Sequence, residues 1–434
     1  RRELGQEIGI SIQRMQAPSY RYGDYSSLSL AISLAFVIAG IVPFLRTISM
    51  IVNERERRVT ESLESIGMGR FANLASIFTF QFAVQLIIGL IFCGILKGGV
   101  VKVVNYFVVL LCYVFFILAI MSLAVFISSF FGNTKRALIT GILFYIFLMI
   151  FWLIKDSIKL ESEGAAIGIA VSPLGNLSLL VDIWIHKQSY FAPYNFSDLS
   201  VLIKFFRGST FLIICSITIV VFLTLGIYLT FVFPTGFGIP RHPLFFLGYP
   251  RKKRTEFAPI ESQGPAVDPA MIEPPSQELL AQSSQSKTIR VEKVSKQYGN
   301  GKLAVDSLSL EMFSDQIFVL LGHNGAGKTT LVSMVAGSFP QTGGKISVLG
   351  LDSLADRPQI QKIMGVCPQI NPILPYLTVT EHLTLYAKVK GIEDCKDEVE
   401  ELLRDIDLFH KRDSFCGKLS GGQKRKLCIA LAFV

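Results

Sequence analysis

The sequence predicts a polytopic α-helical transmembrane bundle joined to an α/β domain, and three observations carry that prediction. Apolar residues gather into five long runs, a stretch rich in Pro, Ser, Gln and Glu follows them, and from Lys287 short β-like runs alternate with helical ones. A chain of 434 residues has room for two unlike domains, at roughly 100–200 residues each. Its hydrophobic fraction of 51% and mean hydropathy of +0.49 are high for a water-soluble protein. Apolar residues collected into runs fit a membrane bundle better than one large core.

The runs cover Leu28–Val52, Leu74–Leu96, Val103–Phe131, Leu138–Ile154 and Thr210–Phe233, the fourth being the shortest. Each is near or above the roughly 20 residues that a helix needs to cross a bilayer. A buried helix of a soluble protein accounts for one such run but not for five in succession. Ahead of them, Arg1 to Asp24 is polar, holds no apolar signal-peptide core and does not open with Met, so Arg1 is read as an internal cut.

Basic residues set the orientation, because cytoplasmic loops collect Lys and Arg. Arg55, Arg57, Arg58 and Arg70 follow the first run, Lys135 and Arg136 the third, and Arg251 to Arg254 the fifth. With alternate crossings all of them fall on one side. The loop from about Lys155 to Arg207 is then expected outside, and it holds two N-x-S sequons, at Asn176 and Asn195.

The formal charge of +9 divides about two to one between the residues before Lys287 and those after it, with both signs interspersed. Juxtamembrane Lys and Arg account for most of it, and no basic face with interleaved aromatics points to nucleic acid. The seven cysteines show no CxxC spacing, so neither a metal site nor a disulfide framework is indicated.

Between Arg251 and Gln285 the sequence has neither helical nor strand periodicity and reads as a linker. Beyond it, Ile289–Val294 and Ile317–Leu321 read as strands. The second of these runs into Gly322-His-Asn-Gly-Ala-Gly-Lys-Thr-Thr330 and then the apolar helical stretch Leu331–Ala336. That is strand, glycine loop, helix, and it satisfies G-x-x-x-x-G-K-[ST] in full, which makes the second domain an α/β P-loop NTPase. Phosphates need many donors close together. The glycines let the backbone N–H groups around Gly325, Ala326 and Gly327 turn inward, and the following helix presents its positive N-terminus. Lys328 is expected at the β- and γ-phosphates of ATP, and Thr329 on Mg2+. His323, Asn324 and Thr330 complete the loop.

About ninety residues later stands Leu419-Ser420-Gly421-Gly422-Gln423. This pair of motifs resembles the nucleotide-binding domain of ABC transporters, whose signature sequence is LSGGQ. The resemblance implies that Ser420 and the glycines contact the γ-phosphate of an ATP held by a second such domain, the partner in a head-to-tail pair. It also implies a Q-loop role for Gln369, on Mg2+ and the attacking water, and an adenine-stacking role for Tyr298. The chain stops at Val434, before the family's Walker B acid and switch histidine, so this truncated piece is expected to hydrolyse little or no ATP alone.

After the first run, Ile51-Val-Asn-Glu-Arg-Glu-Arg-Arg-Val59-Thr-Glu-Ser-Leu63-Glu-Ser-Ile66-Gly67 carries charge with Val59, Leu63 and Ile66 at helical spacing. That pattern predicts an amphipathic helix lying at the membrane surface. With five runs ahead of the ATPase domain it resembles subfamily A, and the resemblance implies that this segment couples bundle to ATPase. The expected layout is residues 1–25 as the end of an extracellular region, 26–250 as the transmembrane domain, 251–286 as a cytoplasmic linker and 287–434 as an incomplete nucleotide-binding domain. Members of the family export lipids, and mostly apolar spans with few charges suit a lipid cargo. The other readings are a regulatory or channel-like protein gated by ATP, and an exporter of xenobiotics or peptides.

Overall fold

The computed structural model describes residues 23–65, 67–157, 162–203, 205–232, 243–244, 276–285, 287–298 and 301–434. The expected extracellular end up to residue 22, Ile66 and the Arg251–Arg254 cluster lie outside them. Helices α1 (Gly23–Glu56), α3 (Arg70–Gly99), α4 (Tyr106–Ser128), α5 (Thr134–Ser157) and α8 (Gly208–Val232) are the long ones. All five are long and apolar enough to cross a membrane. The fourth run gives no short helix: α5 has 24 residues and α4 has 23, because the polar Thr134-Lys-Arg turn and the Lys155-Asp-Ser end are helical too. Within its most apolar window α4 is 72% buried and α8 only 17%.

The expected loop 155–207 is largely helical. It forms α6 (Glu163–Ala170), α7 (Pro173–Ser189) and a 3-10 turn at Phe196–Ser200. Ser162 caps α6 by accepting from Ala165 N, and Pro173 occupies the first position of α7, where its missing N–H costs nothing. Twelve residues of α7 are buried, Asn176 and Trp184 among them. The side chain of Asn176 donates to Phe211 O at 3.2 Å. A sequon inside a packed helix is no glycan acceptor, whereas Asn195 is exposed.

The contacts divide the chain into two compact units that do not follow chain order. One comprises the described residues up to Val42 with Gln85–Ala119 and Tyr145–Ile217. Its centre is aromatic: Phe36 lies 5.0 Å from Phe92 edge-on, and 6.3 Å from Tyr113, Phe116 and Trp184. Tyr145 donates its hydroxyl to Val37 O at 2.7 Å.

The other unit comprises Pro43–Val84, Ile120–Phe144 and Thr218–Val434. It contains a four-stranded antiparallel sheet in the order β2 (Leu303–Phe313), β1 (Thr288–Gln297), β3 (Gly343–Val348), β4 (Leu351–Asp352). Against β2 lies α9 (Gln277–Ser284), capped by Ser276, and Gln282 Oε1 accepts from Ser314 N at 3.0 Å. The end of the expected linker is therefore a docked helix. Ser276 and Glu278 directly after the proline pair supply its N-terminal signal. The remaining helices are α10 (Lys328–Val335), α11 (Arg357–Ile363), α12 (Val379–Lys390), α13 (Lys396–Asp405) and α14 (Gly421–Phe433).

Two expectations are corrected here. Ile317–Leu321 pairs with no strand among the described residues, and Ile317 and Leu321 are 95% and 84% exposed. A strand needs a neighbour for its ladder bonds, and the antiparallel sheet engages β1–β4 only. Helix α2 (Val59–Ser65) does form, but its apolar face is not laid on a membrane surface. Val59 and Leu63, 1% and 5% exposed, sit in one hydrophobic cluster with Leu383, Tyr386, Leu403, Leu427 and Leu431 of the helical part of the ATPase domain.

Candidate functional site

The glycine loop takes the shape its composition requires. Gly322, Gly325 and Gly327 have φ of 157°, 88° and 84°, a region that side chains rarely adopt. At Gly327 a Cβ would stand 2.3 Å from Ala304 O, so only glycine lets the loop close on β2. Gly327 is also the N-cap of α10. Lys328 folds into the loop and donates from Nζ to Gly322 O at 2.6 Å and His323 O at 2.8 Å. His323 Nδ1 lies 2.9 Å from Asn324 O, and Thr329 at the helix start is exposed.

Tyr298 is brought to this loop from far along the chain. Its hydroxyl lies 3.2 Å from Thr330 Oγ1, its ring 6.3 Å from that of Phe339, and the Lys296 ammonium 5.7 Å from its centroid. A cradle of backbone turned by glycines, a lysine at its mouth and a half-exposed aromatic beside it fit a nucleoside triphosphate. Among the described residues no group of three or more His, Cys, Asp or Glu is placed to hold a metal. The exposed Thr329 hydroxyl at the helix start is an oxygen donor of the kind that a hard divalent cation takes.

The signature segment is a helix start. Ser420 caps α14: Gln423 N donates to its Oγ at 3.3 Å, and Gln423 Oε1 accepts from Ser420 N at 3.0 Å. This reciprocal pair is a capping box, and it gives Gln423 a structural task that the resemblance did not imply. Gly421 and Gly422 are exposed. The P-loop helix packs into a cluster with Val291, Val305 and Ile346, while the signature helix belongs to the cluster that holds Leu63. The starts of α10 and α14 thus belong to separate cores.

Gln369 is exposed beside Pro368, whose carbonyl accepts from Arg425 of the signature helix. At Gly365 a Cβ would meet Ala432 O at 1.8 Å, so the strand-like run before Gln369 lies directly on α14. A cavity of about 230 Å³ adjoins it, lined by Arg57 of the α1–α2 turn together with Ile370, Asn371 and Lys424.

Residues that sequence reasoning passed over fasten α2 to the ATPase domain. Ser62 Oγ and Tyr386 Oη are 2.7 Å apart, both buried, and Gln361 Nε2 donates to Glu64 O at 2.8 Å. Burial pushes the Tyr386 phenol up to about 12, with the Ser62 hydrogen bond acting against it. One turn earlier, His382 is fully buried, its ring 5.4 Å from that of Tyr386 and tilted against it; neither ring nitrogen finds a partner among the described residues. Burial holds that imidazole down to about 4, so it is neutral. The spacing of His382 and Tyr386 marks one helix face, but nothing in the sequence says that Ser62 meets it.

Comparisons with known proteins match both parts of the chain. Residues 3–228 match the model of the ABC-2 family transporter protein, and residues 305–434 match that of the ABC transporter. The rat protein "ATP-binding cassette sub-family A member 2" is 29% identical over 99% of this chain and 19% of its own length. The human "Phospholipid-transporting ATPase ABCA3" is 28% identical over 100% of this chain and 26% of its own. The human "Glucosylceramide transporter ABCA12" is 27% identical over 99% and 18%. The chain therefore spans only about a fifth to a quarter of the length of these relatives.

Proposed function

Because the chain belongs to the ABC-2 family of transporter proteins, we propose that it is part of an ATP-driven transporter of subfamily A that moves lipid across a membrane. It is a multi-pass membrane protein with an ABC-type ATPase domain on the cytoplasmic side. The observation that carries the proposal is the burial of Val59 and Leu63 within the ATPase core, because it joins the nucleotide-binding domain to the chain that leaves the first membrane helix.

In this reading the backbone N–H groups of Gly325 to Thr330 hold the phosphates, Lys328 leaves its carbonyl partners for the β- and γ-oxygens, and Tyr298 stacks on adenine. Thr329 and Gln369 would hold Mg2+, which would supply positive charge against the triphosphate. Ser420, Gly421 and Gly422 face the triphosphate of a second nucleotide-binding domain, since one domain keeps its P-loop and signature in separate cores. Lipid as cargo rests on what the similar proteins are named for and on spans that carry few charges.

The test uses the full-length protein in lipid vesicles and compares it with Lys328→Ala and Ser420→Ala. Both variants are expected to lose hydrolysis and lipid movement. Undiminished lipid movement in either would sink the proposal.

A further inference from the structure

Three consecutive charged residues end α1, and they reach the ends of four other helices. Glu54 Oε2 accepts from Asn73 Nδ2 at 3.0 Å, in the first turn of α3. Arg55 donates to Ser128 O at 2.7 Å, the last residue of α4, and to Thr230 Oγ1 at 3.3 Å, in the last turn of α8. Glu56 accepts from Thr134 N at 2.9 Å, the first residue of α5, and from Asn133 Nδ2 at 3.2 Å. Successive residues of an α-helix point about 100° apart, so one turn of α1 fans these side chains in three directions.

The order of signs matches the order of helix ends. A helix start presents unsatisfied N–H groups and partial positive charge, and a helix finish presents carbonyls and partial negative charge. Helices α3 and α5 start here and meet carboxylates; α4 and α8 finish here and meet a guanidinium. Three residues further on, α2 begins, locked to the ATPase domain by Val59, Leu63 and the Ser62–Tyr386 pair. Beyond α2, the Glu64–Arg70 ion pair at 2.6 Å ties its end to the start of α3.

We propose that Glu54, Arg55 and Glu56 form a clamp that imposes any displacement of α2 on α3, α4, α5 and α8 together. They are positioning residues, placed where the helix ends converge. The proposal rests on the ATP-driven reading above and adds how nucleotide-dependent motion is distributed. Without the clamp, α2 would drag only α1 and α3, to which the chain and the Glu64–Arg70 pair join it.

The experiment uses full-length protein in vesicles of phosphatidylcholine and phosphatidylserine, with a fluorescent phospholipid as probe, and spin labels at Ser76 of α3 and Thr140 of α5. Glu56→Gln is expected to bind and hydrolyse ATP within about twofold of wild type while lipid moved per ATP falls roughly five- to thirtyfold. Arg55→Met should behave alike, and Arg55→Lys should restore only part of the ratio, since an ammonium lacks the forked donors that span two helix ends. Combining Glu56→Gln with Asn133→Ala should be no worse than Glu56→Gln alone, because the two share one contact. In wild type ATP should carry both labels together and leave their separation unchanged; in Glu56→Gln the separation should change as α5 lags. An unchanged lipid-to-ATP ratio together with an α5 label that still follows overturns the clamp, as does a loss of both activities in proportion to thermal stability. If wild type moves no lipid, the functional reading fails by itself, and the label distances still judge the clamp.

Discussion

Gly327 and His382 show how single positions are held. Gly327 combines a φ of 84° with a neighbouring carbonyl that leaves no room for a Cβ. Gly327→Ala is expected to weaken nucleotide binding roughly five- to a hundred-and-fiftyfold, the range that about 1–3 kcal/mol of backbone strain gives; equilibrium binding of a fluorescent ATP analogue measures it. His382 is buried and neutral, its imidazole pulled down to about 4 by desolvation. The unfolded chain binds a proton below an ordinary value near 6.5 that the folded chain refuses, so the stability is complete above about pH 6.5 and is lost as pH falls toward about 4. His382→Leu should remove that dependence, visible as unfolding temperatures that converge at pH 7.5 and pH 5.

At the scale of elements, α2 is too short to stand alone, because an isolated helix below about 12–15 residues is marginal in water. Its seven residues keep their form by burying Val59 and Leu63 and by the Ser62–Tyr386 and Gln361–Glu64 bonds. Leu63→Ala is expected to cost about 2–5 kcal/mol, and hydrogen exchange across residues 59–65 should quicken accordingly. Tyr386→Phe removes one buried hydrogen bond, a smaller loss of about 0.5–1.5 kcal/mol. Amide protection of α2 that stays the same in both variants would show that the ATPase domain does not hold it. Ser420 works differently: its capping box sets where α14 begins, so the signature motif is a local device that needs no distant partner to form.

For the whole molecule, topology is the testable property. Only one of the two sequons is accessible, since Asn176 is buried against Phe211 and Asn195 caps an exposed turn. Expressed in cells that glycosylate, Asn195→Gln should abolish the mobility shift produced by glycosidase, and Asn176→Gln should leave it in any protein that folds. A shift lost with Asn176 instead would reverse the placement of α7.

The sequence by itself determined five helices long and apolar enough to cross a membrane, a glycine-rich loop that opens a helix, and a helix start at the Ser420 signature. Each of these depends on residues within a few positions of one another, through apolar run length, glycine dihedrals or a serine and glutamine three apart. Only the tertiary structure decided that α2 is buried among ATPase helices rather than laid on a membrane, that 155–207 is mostly packed helix, and that Ile317–Leu321 stands without a neighbour. It alone also shows that Tyr298 stands at the loop and that Glu54, Arg55 and Glu56 divide four helix ends by sign. Those outcomes turn on partners distant in the chain, such as Ser62 and Tyr386. An amphipathic face specifies that it will be covered, and only the packed molecule specifies by what.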